Sequence, residues 1–229
     1  MINAVIDDEG VDYYEATNEG DAVAMVCGAY TAGRKGVVMF QNSRLGNAVN
    51  ALTSLSFPFR FPFITIVTHR GQPGDPADEP QNELMGAVTE GLLTTMRMKW
   101  CHFPENRGDL EEAFTEAIQY MDEHQLPFVF VMRKGTIKSQ DLKLAQNEHP
   151  IGNRQFKFSE SIQKPYSDRP TRTDALKLLH KYRLSSDIYI ATTGKTGREL
   201  YVIDNNPKNF YMVGSMGSAS SYALGASHL

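Results

Sequence analysis

The chain alternates short runs of β-branched and aromatic residues with longer stretches whose apolar positions recur every three or four residues. Runs at 11–17, 36–40, 63–68, 99–103, 127–132, 187–192 and 210–213 predict strands. Phe63-Ile64-Thr65-Ile66-Val67-Thr68 and Phe128-Val129-Phe130-Val131-Met132 are almost continuously apolar, as parallel strands covered on both faces are. The stretches at 21–33, 45–55, 82–96, 109–124, 173–182 and 197–204 predict helices, and a small-residue helix follows Gly217. The first is expected to start on Asp21 as N-cap and to end near Gly33. In the fourth, Ala113, Phe114, Ala117, Ile118 and Met121 share one face. Repeated strand–helix units imply an α/β fold, a parallel sheet flanked by helices.

Two segments break the alternation. Residues 71–80 hold three prolines and two glycines and predict a loop. From about 135 to 172 the chain is polar and aperiodic, with Pro150, Pro165 and Pro170, which predicts a linker. The expected organisation is a first domain at 1–135, a linker at 136–172, and the start of a second domain at 173–229. Two strands do not enclose a core of their own, so the second domain is expected to be incomplete here or covered by another chain.

Composition narrows the classes. Of 229 residues, 41% are hydrophobic and 22% charged, as in ordinary globular domains. No apolar run approaches the roughly 20 residues that cross a bilayer, and the opening residues lack a basic segment before an apolar one. The net charge of −4, without a clustered basic footprint, argues against a nucleic-acid partner. Cys27 and Cys101 read as buried thiols of a cytoplasmic protein, and no Cys or His spacing suits a metal.

Ligands of open parallel sheets bind beyond the carboxyl ends of the strands. Those ends carry Asn18-Glu19-Gly20-Asp21, Gln41-Asn42-Ser43-Arg44, His69-Arg70-Gly71-Gln72, Thr193-Gly194-Lys195-Thr196 and Gly214-Ser215-Met216-Gly217. Taken singly, each has a plain role. Glu19 reads as an exposed loop carboxylate, Gln41, Asn42 and Ser43 as loop and cap residues, His69 and Arg70 as surface charges, and the glycine turns as helix entries. A generic nucleotide-binding domain is weakened by the lack of a P-loop or a Gly-x-Gly-x-x-Gly turn after the first strand.

Asn18-Glu19-Gly20-Asp21-Ala22-Val23-Ala24 and Gln41-Asn42-Ser43-Arg44-Leu45-Gly46-Asn47-Ala48-Val49-Asn50 closely resemble the thiamine-diphosphate-dependent phosphonopyruvate and sulfopyruvate decarboxylases. The likeness continues through Thr53-Ser54-Leu55, His69-Arg70-Gly71 and Asp78-Glu79-Pro80-Gln81, and returns at 192–200 and 210–217. It implies a thiamine-diphosphate-binding fold, a pyrimidine domain followed by an incomplete diphosphate domain.

The resemblance also implies roles. Glu19 would hydrogen-bond N1′ of the aminopyrimidine, from a water-shielded site that raises its pKa. Thr193 and Gly194 would meet the diphosphate through backbone N–H groups. Gly214 would offer its carbonyl to the 4′-amino group, beside Ser215, and Met216 would lie under the cofactor. Gly217 would let the next helix approach. Asn42 and Ser43 would contact the substrate, and Arg70, with His69 and Arg44 as further cations nearby, its extra anion.

The Gly-Asp-Gly…Asn segment that supplies the Mg2+ ligands is missing and is expected beyond Leu229, and the family's opening helix and strand are missing before Met1. The chain therefore reads as a piece truncated at both ends that binds cofactor poorly alone, as one subunit of a split enzyme, or as a noncatalytic relative. A homo-oligomer is implied, because in this superfamily the cofactor lies between subunits.

Overall fold

The computed structural model describes residues 1–76, 78–143 and 169–227. Strands β1 (Val37–Gln41), β2 (Ile64–Thr68), β3 (Lys99–His102) and β4 (Phe128–Met132) form a parallel sheet in the order β1-β2-β4-β3. Ile64 stands opposite both Val37 and Phe128. The two apolar runs of the sequence are thus the two central strands. The period of two in β4 sends Phe128 and Phe130 to one face and Val129 and Val131 to the other. Each phenylalanine is fully buried, which stabilises the fold by roughly 1.5–3 kcal/mol per side chain.

Helices α1 (Ile2–Ile6), α2 (Glu19–Thr31), α3 (Leu45–Ala51), α4 (Phe57–Phe59), α5 (Glu83–Thr95) and α6 (Leu110–His124) accompany this sheet. The valine face of β4 shares a core with Val23 and Cys27 of α2, Leu45 and Ala48 of α3 and Leu93 of α5. The phenylalanine face packs with Ala113, Phe114, Ala117 and Met121 of α6, four positions of the stripe expected from the sequence, while Ile118, the fifth, stays exposed. Cys27 is buried and Cys101 half-buried.

Three expectations need correction. Residues 11–17 form no strand. About half of Val11 and of Tyr14 stays exposed, so little burial holds the segment in a ladder, and Asp12 is taken by an ion pair with Arg34. The N-cap of α2 is Asn18 rather than Asp21: Asn18 Oδ1 accepts from the Asp21 N–H at 3.0 Å. The helix expected at 45–55 is interrupted. It passes from α3 through one π-helical turn, Leu52–Ser56, into α4, and Arg60 then adopts left-handed backbone to end it.

Past the segment where most of the expected linker lies outside the described residues, α7 (Arg172–Lys181), β5 (Tyr189–Ala191), α8 (Lys195–Ile203), β6 (Asn209–Tyr211) and α9 (Ala219–Ser227) make a second unit. Thr171 and Asp174 form a reciprocal capping box at the start of α7. Strands β5 and β6 pair in parallel, Tyr189 opposite Asn209. Their core is small: Leu176, Ala191 and Leu200. Tyr182, Leu184, Val202 and Val213 remain exposed, so the unit is incompletely covered among the described residues. No helix there is long and apolar enough to cross a membrane.

Helix α9 leaves this unit and lies against α2. Tyr222 is buried between them, stacked on Phe210 with ring centroids 4.4 Å apart and an interplanar angle of 9°. Its hydroxyl lies 2.5 Å from Thr31 Oγ1. Ser221 Oγ donates to Asp21 Oδ1 at 2.8 Å.

Candidate functional site

The first turn of α2 opens onto a cleft of about 310 Å³, where the two units meet. Asn18, Gly20 and Asp21 line it from α2, Asn47, Asn50 and Ala51 from α3, and Ser215 to Ser218 from the turn after β6. That turn is pinned: Ser54 Oγ accepts the Ser215 N–H at 2.7 Å. A Cβ on Gly214 would fall 2.3 Å from the Ser54 carbonyl oxygen, so only glycine allows this approach. Ser54 sits in the π-helical turn, whose register presents it there. Met216 stands 77% exposed beside the cleft.

Glu19, the first residue of α2, is only 7% exposed. Arg44 Nη1 donates to Oε1 at 3.2 Å, and Asn47 Nδ2 donates to Oε2 at 2.9 Å. Burial alone raises the carboxyl's pKa. The hydrogen bond from Asn47, then the backbone and Arg44, outweigh it and hold the pKa below the ordinary carboxylate range. The raised value implied by the resemblance is corrected accordingly: burial here comes with donors aimed at both oxygens. Glu19 is also not an exposed loop carboxylate, since Asn18 caps the helix in front of it.

Asn42 is fully buried. Its Nδ2 donates to the Arg70 carbonyl and to Thr89 Oγ1, at 2.9 and 3.0 Å, and its Oδ1 accepts the Arg70 N–H at 2.9 Å. The side chain therefore ties β1's end to β2's. Ser43 Oγ accepts from Gln41 Nε2. Arg70 forms a two-pronged pair with Asp78, Nε to Oδ2 at 2.6 Å and Nη2 to Oδ1 at 2.5 Å. Asp78 also accepts the N–H groups of Gly71 and Glu79. Arg70, with those two donors, lowers the Asp78 pKa far beneath the usual carboxylate value.

His69 is buried. Its Nε2 lies 2.9 Å from the Gly86 carbonyl oxygen, which only accepts, so Nε2 carries the hydrogen. Nδ1 is buried with no partner among the described residues. Thr193 and Gly194 lie exposed at the N-terminus of α8, with Gly194 at φ 91°. Among the described residues no group of three or more His, Cys, Asp or Glu could hold a metal ion.

The cleft thus gathers Glu19's neighbours with Ser215 and Met216, next in the chain to Gly214, and leaves Asn42, Ser43 and Arg70 outside its lining. Asn47, Ser54 and Asp78 carry roles that the sequence pattern did not reveal. The one legible trace is the three-residue step from Arg44 to Asn47, one helical turn. A buried carboxylate at Glu19 and a glycine approach at Gly214, each next in the chain to residues that line the cleft, and an open methionine in the lining fit an aminopyrimidine. For a diphosphate, the Thr193–Gly194 turn at the start of α8 offers backbone N–H groups.

No family model matches the chain. It is 38% identical over 98% of its length to a phosphonopyruvate decarboxylase of Streptomyces viridochromogenes, covering 56% of that protein. It is 32% identical over 122 residues to the sulfopyruvate decarboxylase subunit alpha of Methanocaldococcus jannaschii, 52% of this chain and 67% of that one. A shorter match, 50% over 42 residues, is to the sulfopyruvate decarboxylase subunit beta of Methanothermobacter thermautotrophicus, 18% of this chain and 23% of that one. The chain spans about half the length of the phosphonopyruvate decarboxylases it matches.

Proposed function

The chain belongs to the phosphonopyruvate and sulfopyruvate decarboxylase family, and on that premise we propose that it forms the pyrimidine side of a thiamine-diphosphate- and Mg2+-dependent decarboxylase converting phosphonopyruvate to phosphonoacetaldehyde and CO2. The observation that carries this reading is the buried Glu19 carboxylate, whose chain neighbours Asn18 and Gly20 line a cleft together with Ser215 to Ser218. The match over 98% of the chain to the Streptomyces protein favours phosphonopyruvate. Sulfopyruvate is the second reading, motivated by the subunit-alpha relative.

Bound thiamine diphosphate supplies the electron sink that lets a 2-oxoacid lose CO2. Glu19 would hold the aminopyrimidine ring nitrogen with a carboxyl oxygen and share a proton there, Gly214 would offer its carbonyl to the exocyclic amine, and Met216 would support the cofactor from below. Thr193, Gly194 and Ser215 would complete the binding surface. Asn47 fixes the Glu19 carboxylate from its other oxygen, so the acid keeps one orientation. Burial keeps bulk water away from this carboxylate. Asn42 would keep the sheet edge in register for the substrate, next to Ser43 and Arg70. The division into a domain at 1–135, a linker at 136–172 and the start of a second domain at 173–229 belongs to this reading, as does a homo-oligomer. The incompletely covered second unit supports another polypeptide layer against it.

The test is Glu19→Gln in the assembled enzyme, read as CO2 release from phosphonopyruvate and from sulfopyruvate. An amide cannot share the proton as a carboxyl does, so a loss of roughly 10²–10⁴-fold is expected. Retained activity would refute the assignment, and the faster wild-type substrate separates the two readings.

A further inference from the structure

Phosphonopyruvate and sulfopyruvate differ from pyruvate by an anionic group on C3. A site that prefers them needs a cation that the substrate can reach and that the protein has not already committed elsewhere. Three basic side chains, Arg44, His69 and Arg70, follow strands β1 and β2 at this end of the sheet, and the structure separates them.

His69 is buried, and its protonated Nε2 is committed to the Gly86 carbonyl. Arg70 places two guanidinium nitrogens on Asp78. Such paired, charge-assisted bonds are the strong kind, and their release would free the loop that Asp78 also holds through Gly71 and Glu79. Arg44 differs from both. Its side chain is 66% exposed and, among the described residues, makes one ion-pair contact, at 3.2 Å to Glu19. When the exposed Arg44 guanidinium turns to another anion, Asn47 still donates to the buried Glu19 carboxylate, which therefore keeps a partner.

Position points the same way. Asn47, Asn50 and Ala51 line the cleft from one face of α3, and Arg44 is the N-cap one turn earlier on that face. A guanidinium at a helix N-terminus opposes the helix dipole. Its placement there is unfavourable for α3 unless an anion compensates it. In the structure Glu19 does so, through one oxygen only.

We infer that Arg44 is the specificity-determining cation of this site, exchanging Glu19 for the distal phosphonate or sulfonate of the substrate while Arg70 serves as the fastening of the 71–80 loop. This rests on the decarboxylase reading above. The exchange couples recognition to chemistry. As Arg44 turns to the substrate, Glu19 keeps its bond from Asn47 but loses a nearby positive charge. Burial then acts on the carboxyl with less opposition, which favours a shared proton over a bare carboxylate.

The experiment compares wild type, Arg44→Gln, Arg44→Lys and Arg70→Gln in the full-length holoenzyme, reading kcat/KM for phosphonopyruvate divided by that for pyruvate. Arg44→Gln is expected to lower this ratio roughly 10- to 100-fold, the value of a hydrogen bond to a charged group. Arg44→Lys, which keeps the charge without the fork, should fall between. Arg70→Gln should leave the ratio within about threefold. An Arg44→Gln enzyme with an unchanged ratio, or a ratio that falls only in Arg70→Gln, overturns the inference. Binding of phosphonoacetate, an unreactive anion, is measured in parallel by calorimetry on the full chain. Loss of binding in Arg44→Gln supports the assignment, and retained binding overturns it. Should wild type decarboxylate neither substrate, the decarboxylase reading fails separately, and phosphonoacetate still decides the role of Arg44.

Discussion

Gly28 of α2 leaves no space before Tyr222 of α9: a Cβ at Gly28 would lie 2.0 Å from the Tyr222 carbonyl oxygen. The relation is mutual, since a Cβ at Gly225 would lie 2.0 Å from the carbonyl oxygen of Met25. The two helices therefore cross backbone to backbone.

Gly28→Ala should push α9 away from α2. Overpacking of this kind costs roughly 1–3 kcal/mol. The expected result is a lowered thermal midpoint together with faster amide exchange in 219–227. An unchanged midpoint would show that the crossing yields freely.

Tyr222 gives the crossing an alkaline limit. Burial pushes its phenol from the ordinary 10.0 up to about 12, against the opposing hydrogen bond with Thr31. The folded pKa is raised, so its contribution is complete below pH 10 and is lost as pH climbs toward 12. A rise of that size corresponds to roughly 2–3 kcal/mol. Tyr222→Phe should cost about 1 kcal/mol at pH 8 through the lost hydrogen bond. It should also flatten the decline above pH 10, as read by urea midpoints across that range. Parallel declines in both proteins would place the alkaline lability elsewhere.

Asp78 sets an acid limit on the 71–80 loop. Its folded pKa is depressed by Arg70 and by the Glu79 and Gly71 amides. The stabilisation is present above the ordinary carboxylate value and is lost as pH falls through the lower folded one. Asp78→Asn should remove the dependence and loosen the loop at neutral pH. The Gly71 and Glu79 amides, which donate to Asp78, should exchange faster in the variant. Equal protection in both proteins would mean that the loop is held by other contacts.

Much of the fold was legible because burial on both faces leaves a plain signature. The apolar runs at 63–68 and 127–132 became the central strands β2 and β4, and the helical period of 109–124 became the stripe of α6 packed on Phe128 and Phe130. Boundaries followed local chemistry less faithfully. Asn18 displaced Asp21 as cap because its side chain reaches the Asp21 N–H, a matter of one residue's geometry. The 11–17 segment has strand composition, but a strand also requires a partner edge and a covered face, and these are tertiary properties.

The candidate site divides in the same manner. Its residue types and their order along the chain are carried by the amino-acid string, and so is membership of a family with that order. The ionisation of Glu19, the commitment of Arg70 to Asp78, the freedom of Arg44 and the closeness of Gly214 to Ser54 are decided by folding alone. Charge state and availability depend on which groups lie within a few ångströms, and residues 19, 44, 54, 78 and 214 become neighbours or strangers only when the helices and loops have packed.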